Sequence, residues 1–79
     1  MNIQNILKNI KLYRVQSSNI FAIGYDPKNY ILAIIFNNNS QYIYFNVPNN
    51  VWNYFSSSDS KGKTFKDVIK NKYKFIKLR

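Results

Sequence analysis

A chain of 79 residues is one domain's worth, and it carries 12 Lys and Arg against 3 Asp, for a net charge of +9. Having no Cys, no His and no Glu, it lacks the materials for disulfides, thiolate zinc sites, redox motifs and His-based catalysis. An apolar content of 46% with 18% aromatics, and only two Gly and two Pro, marks a globular chain rather than a disordered one. A domain this short buries only about 60% of the surface its unfolded form exposes, so its core is thin and each aromatic counts. The lysines share their excess with Asn, Ile, Tyr and Phe, a bias that AT-rich coding produces, so charge alone argues little. No segment reaches the roughly 18 apolar residues of a membrane span, and the N-terminal residues lack a signal-peptide pattern. With no cysteine, a cytoplasmic setting is expected.

Along the chain, Ile3, Ile6, Leu7, Ile10 and Tyr13 recur at helical spacing between Asn, Gln and Lys, which predicts an amphipathic helix over residues 2–13. Three strands are then predicted, over 18–25, 30–37 and 41–47. Asp26-Pro27-Lys28-Asn29 supplies the first turn and Asn37 to Ser40 the second, so the strands form an antiparallel meander. The middle strand does not alternate. Ile31, Ala33 and Ile35 point one way and Leu32, Ile34 and Phe36 the other, so it needs cover on both faces. Downstream helices can cover one face; the N-terminal helix, a second copy of the chain or a partner must cover the other.

Pro48-Asn49-Asn50 signals a helix start with Asn as the cap, and Val51, Trp52, Tyr54 and Phe55 fill a helix over 49–57. After a polar loop, Thr64 and Asp67 stand three apart like a capping box. Phe65, Val68, Ile69 and Tyr73 mark the buried side of a last helix over 64–74.

Set in order, Val15-x-Ser17-Ser18-x-Ile20, Ile23-Gly24-Tyr25-Asp26, Leu32-x-Ile34-x-Phe36, Tyr42-Ile43-Tyr44, Val47-Pro48-x-x-Val51 and Ser60-x-Gly62-x-x-Phe65, with Ile69 and Tyr73, resemble the KTSC domain. That family is named for its occurrence at the C-terminus of some lysyl-tRNA synthetases and also occurs as small stand-alone bacterial and phage proteins. Two positions depart from its pattern: Asn39-Ser40 where the family usually has Gly, and Ser58 where it usually has Ala. The expected architecture is α+β: a three-stranded antiparallel β-meander followed by two C-terminal helices, with an added N-terminal amphipathic helix. Residues 1–14 form that helix and 15–79 the KTSC-like domain. The resemblance implies no enzymatic activity and suggests RNA binding.

Asp26, Asp59 and Asp67 fall in a turn, a loop and a helix cap, and Gly24 and Gly62 are isolated rather than part of a phosphate-cradling loop. No catalytic residue, cofactor or metal is therefore expected. The charge is uneven: residues 1–14 carry +3, residues 15–60 carry −1, and residues 61–79 carry +7. On a helix over 64–74, Lys66, Lys70 and Lys74 form one stripe, either a phosphate-backbone contact or a solvated face. Lys61, Lys63, Lys77 and Arg79 extend the basic region. Tyr42 and Tyr44 share one strand face about 7 Å apart, placed either to stack unstacked bases or to fill the core. The leading expectation is a non-catalytic protein that binds RNA or single-stranded DNA through these nine residues. The alternatives are a phage or mobile-element module that docks on a host or defence complex, and a homodimer or larger homo-oligomeric scaffold.

Overall fold

The computed structural model describes residues 7–79. Five strands, β1 (Leu12–Arg14), β2 (Ile20–Asp26), β3 (Ile31–Phe36), β4 (Gln41–Tyr44) and β5 (Phe75–Lys77), form one antiparallel sheet in chain order. Two helices, α1 (Asn49–Ser56) and α2 (Lys61–Val68), make an excursion between β4 and β5. The three central strands lie where the sequence places them. The three-stranded meander with an N-terminal helix is wrong, because two further strands flank it.

The first is β1. Within the described residues before it, helix is confined to Leu7 and Lys8, while Leu12 and Tyr13, assigned above to the helix, are extended. Leu12, Tyr13 and Arg14 pair with Gly24, Ile23 and Ala22. That pairing occupies the backbone groups along the outer edge of β2, which a helix would leave unpaired. Ile3 and Ile6, also assigned to that helix, lie outside the described residues.

The second is β5, where the basic tail returns to β4. Phe75, Ile76 and Lys77 pair with Tyr44, Ile43 and Tyr42. The Phe45 N–H donates to the Lys74 carbonyl at 2.9 Å, and the Gln41 N–H donates to the Arg79 carbonyl at 3.0 Å. The last helix therefore ends at Val68 rather than at residue 74. Ile69 drops fully into the core, the Lys70 N–H closes a wide turn on the Phe65 carbonyl at 2.8 Å, and Asn71 takes φ 63°. Asn39 in the β3–β4 turn (φ 71°) and Asn46 after β4 (φ 59°) are left-handed too, a conformation Asn reaches more readily than most side chains.

The helices start differently from expectation as well. Pro48, not Asn49, occupies the N-cap of α1. Helix α2 begins at Lys61 after Ser60, three residues early, so Thr64 and Asp67 form no capping box. Thr64 is instead buried, its hydroxyl 2.5 Å from that of Ser58. The Ser58 hydroxyl also accepts the Ser60 N–H at 3.1 Å, so Ser58 organises the entry to α2.

Both faces of β3 are buried, as its composition requires. Leu32 and Ile34 join Ile20, Ile23, Tyr44, Val47, Phe55 and Ile69 in the core beneath the helices. Ile31 and Ala33 join Ile43 and Ile10 on the opposite face, with Leu7, Phe45, Ile76 and Leu78 packed around them. Each fully buried Ile or Leu contributes about 1.5–3 kcal/mol relative to exposure. On the helix side the Tyr25 ring stacks on Trp52 at 5.3 Å, and its hydroxyl donates to the Val47 carbonyl.

The chain before β1 reaches the second face only because Gly24 has no side chain. A Cβ there would stand 2.5 Å from the Lys11 carbonyl oxygen and 2.7 Å from a methyl of Ile10. Overpacking of this kind costs about 1–3 kcal/mol. Gly24→Ala is therefore expected to lower the melting temperature by about 4 °C or more. An unchanged transition by circular dichroism would show that the Ile10–Leu12 segment does not seat against β2.

Candidate nucleic-acid interface

Alternation along the sheet puts Phe36 of β3, Tyr42 and Tyr44 of β4, and Phe75 of β5 on the helix-facing side. Tyr42 and Tyr44 lie 6.3 Å apart, inclined by 22°. Phe75 tilts against both, at 5.7 and 5.6 Å. Phe65 of α2 closes the group edge-on against Phe36 at 5.5 Å and Tyr44 at 5.9 Å. Offset and edge-on pairs of this kind hold one another in place, so the five rings form a preformed surface.

Helix α2 packs over only part of these rings. The remainder floors a cleft of about 580 Å³ with Lys66 and Lys70 on its wall. Asn37, Asn38 and Ser40 of the β3–β4 turn, with Asn71, line it too. The Asn37 side chain donates to the Ser17 carbonyl at 3.1 Å and its N–H to the Asn19 carbonyl at 2.9 Å, tying that turn to the 16–19 loop. The rings offer π faces, the amides offer paired donors and acceptors, and the lysines offer positive charge.

Both tyrosines line the cleft, and they differ in burial: Tyr44 is a core residue, 4% exposed, while Tyr42 is half-buried and packs against that core. The lysines do not form a helical stripe, since α2 stops before Lys70 and Lys74. Lys66 and Lys70 nevertheless meet at the cleft, and the Lys77 ammonium sits 6.0 Å above the Tyr42 ring. Lys61 donates to the Ser58 carbonyl, and Lys63 is exposed on the same turn of α2. Lys74 and Arg79 are exposed but stand outside the cleft. Phe75 escaped the sequence reading because the tail was assigned to a helix and its end; the alternation of Phe75 and Lys77 with Ile76 and Leu78 was the available signal.

The three aspartates occupy separate elements: the end of β2, the loop before α2, and α2 itself. Asp26 accepts from the Lys28 and Asn29 N–H groups and from the Asn29 amide, and that last bond does most to hold its carboxyl below the usual range. It is a turn residue. No group of three or more potential metal ligands gathers among the described residues. No helix among them is long and apolar enough to cross a membrane.

The sequence profile of the KTSC domain matches residues 16–73. This chain belongs to the KTSC family. A crystal structure of a KTSC domain protein from Yersinia pestis superposes with a TM-score of 0.85 at 40% identity, covering 89% of this chain and 99% of that one. A protein of Tsukamurella paurometabola is 34% identical over 64 residues, 81% of this chain and 96% of its own length. A lysine–tRNA ligase of Nostoc punctiforme is 37% identical over 67 residues, 85% of this chain but 12% of the ligase. The KTSC domain is thus both a small protein and a minor segment of a larger one. The two departures from the family pattern have structural accounts here, in the left-handed Asn39 and the hydroxyl network of Ser58.

Burial, reinforced by Tyr42 nearby, raises the Tyr44 phenol from 10.0 to about 12. An unfolded chain ionises this group near pH 10, and the folded one holds its proton to about pH 12. Its contribution to stability is thus fully present below pH 10 and lost as pH rises to about 12. Denaturant titrations across this range should show stability falling, with a shallower fall in Tyr44→Phe. Equal slopes would place the Tyr44 hydroxyl in water.

Proposed function

We propose that this KTSC domain is a non-catalytic binding module for single-stranded nucleic acid, with RNA as its ligand. The observation that carries the reading is the cleft that joins an exposed Phe75 and a partly exposed Tyr42 to lysines and side-chain amides in one place. Bases exposed in a single strand stack on aromatic faces and offer hydrogen-bonding edges, and the adjoining phosphates need cations. Phe75, 52% exposed, and Tyr42 are the stacking surfaces. Lys66 and Lys70 hold phosphate, with Lys77 over the Tyr42 ring. Asn37, Asn38 and Asn71 contact base edges. The occurrence of a similar segment in a lysine–tRNA ligase, whose named substrate is an RNA, favours RNA over DNA.

Fluorescence anisotropy with labelled single-stranded RNA and DNA, over a salt series, tests the reading. Each phosphate contacted on a single strand contributes about −0.7 to the slope of log affinity against log salt. Lys66→Gln with Lys70→Gln should therefore flatten the slope by about 1.4. Phe75→Ala should weaken binding by about 1–3 kcal/mol without changing the slope, the signature of a lost stacking partner. Tyr44→Leu should act mainly on stability. No binding at low salt, where a chain of charge +9 is favoured, would reject the reading and point to a protein partner.

A further inference from the structure

A second groove, of about 310 Å³, runs between the 16–19 loop and the first turns of α2. Lys61, Lys63 and Lys66 line it, opposed by a single acid, Asp59. It does not stand apart from the aromatic cleft. Ser18, Asn19, Gly62 and Lys66 line both, so the two depressions meet across Gly62. We infer that they form one bent track for a single strand. The base of one nucleotide enters the aromatic cleft, and the phosphodiester chain of its neighbours passes over Gly62 into the lysine groove. This inference rests on the nucleic-acid reading above and adds a path and a length to it.

Three features support a polyanionic chain in the groove rather than an extension of the aromatic site. The rings all belong to the first cleft, while the groove is lined by lysines, serines, Asn19, Gln16 and Asp59. It therefore offers charge and hydrogen bonds without stacking, which suits a sugar-phosphate backbone. Lys61 is tethered to the Ser58 carbonyl, whereas Lys63 and Lys66 are exposed and project from the same eight-residue helix. Finally, the residue at the junction is a glycine. A Cβ on Gly62 would lie 3.6 Å from the Asn19 amide nitrogen and 3.9 Å from the Ser17 hydroxyl. Alanine fits there in ordinary contact, but a longer side chain would project towards the opposite wall and divide the track.

The geometry makes Gly62 a gate for length. Affinity is measured for a length series of oligoribonucleotides, from a mononucleotide to about six nucleotides, with the whole chain and with Gly62→Ala, Gly62→Leu, Lys63→Gln and Asp59→Asn. Ala and Leu both have higher helix propensity than Gly, and thermal melts confirm that each variant is folded. In the unmodified chain affinity rises about tenfold or more from one nucleotide to four, as phosphates are added along the groove. Lys63→Gln reduces that gain and leaves mononucleotide affinity unchanged; Gly62→Leu, at the shared wall, reduces the gain by more than it changes mononucleotide affinity, while Gly62→Ala preserves the gain. Asp59→Asn strengthens only the longer ligands, by about two- to threefold. Affinity that does not grow with length, or a length gain untouched by Gly62→Leu and Lys63→Gln, overturns the track and leaves the aromatic cleft standing. Absence of binding at every length overturns the cleft as well.

Discussion

The fold depends on β3 being apolar on both sides. Ile31 and Ala33 cannot face water any more than Leu32 and Ile34 can, so the chain must build two layers of cover with few residues. The helices supply one layer. The other includes Leu7 and Ile10, brought over the sheet by a backbone that skims Gly24, and Ile76 and Leu78 from the tail. The segments that flank the central strands, from Leu7 to Leu12 and from Phe75 to Leu78, are thereby committed to the sheet that the middle forms. A change at Gly24 acts at a distance from the helices, yet it bears on the same strand that they cover.

The return of the tail has a second effect. Pairing of β5 with β4 sets Phe75 beside Tyr42 and Tyr44, and Lys77 over Tyr42. The same pairing cuts α2 short, which leaves the aromatic rings partly uncovered and brings Lys70 to the rim. Had the helix continued through residue 74, its lysines would have lined one solvent-facing stripe and its apolar side would have closed over the rings. The cleft is thus a by-product of sheet completion, and the chemistry collected there belongs to segments far apart in the chain.

Local signals were enough for the central part of the sheet. Turn chemistry at Asp26-Pro27 and Asn37 to Ser40, and runs of β-branched and aromatic residues between, located β2, β3 and β4 to within a few residues. The two-sidedness of β3 was also legible, because alternation assigns every side chain a face. What escaped were the two strands whose existence is decided by pairing. Leu12–Arg14 and Phe75–Lys77 are three residues each, and each continues a stretch with helical spacing, which outweighed the short alternation in the tail. The lysines and tyrosines could be singled out by their type and spacing. Their grouping could not, since it followed from the helix end at Val68, and nothing local in Lys70 to Lys74 marks that end except Asn71.

Asn39, Asn46 and Asn71 turn the chain with positive φ at points where glycine is the commoner choice. Glycine would enter those torsions without strain, but it would also widen the range of shapes open to the denatured chain. Asn keeps that range narrower, and restricting an unfolded residue in this manner is worth about 0.4–1 kcal/mol where the native torsion is tolerated. With only two glycines in the chain, the denatured ensemble loses less entropy on folding than that of a glycine-turned sheet of equal size. For a domain whose core is thin, part of the stability then resides in the state that has no structure.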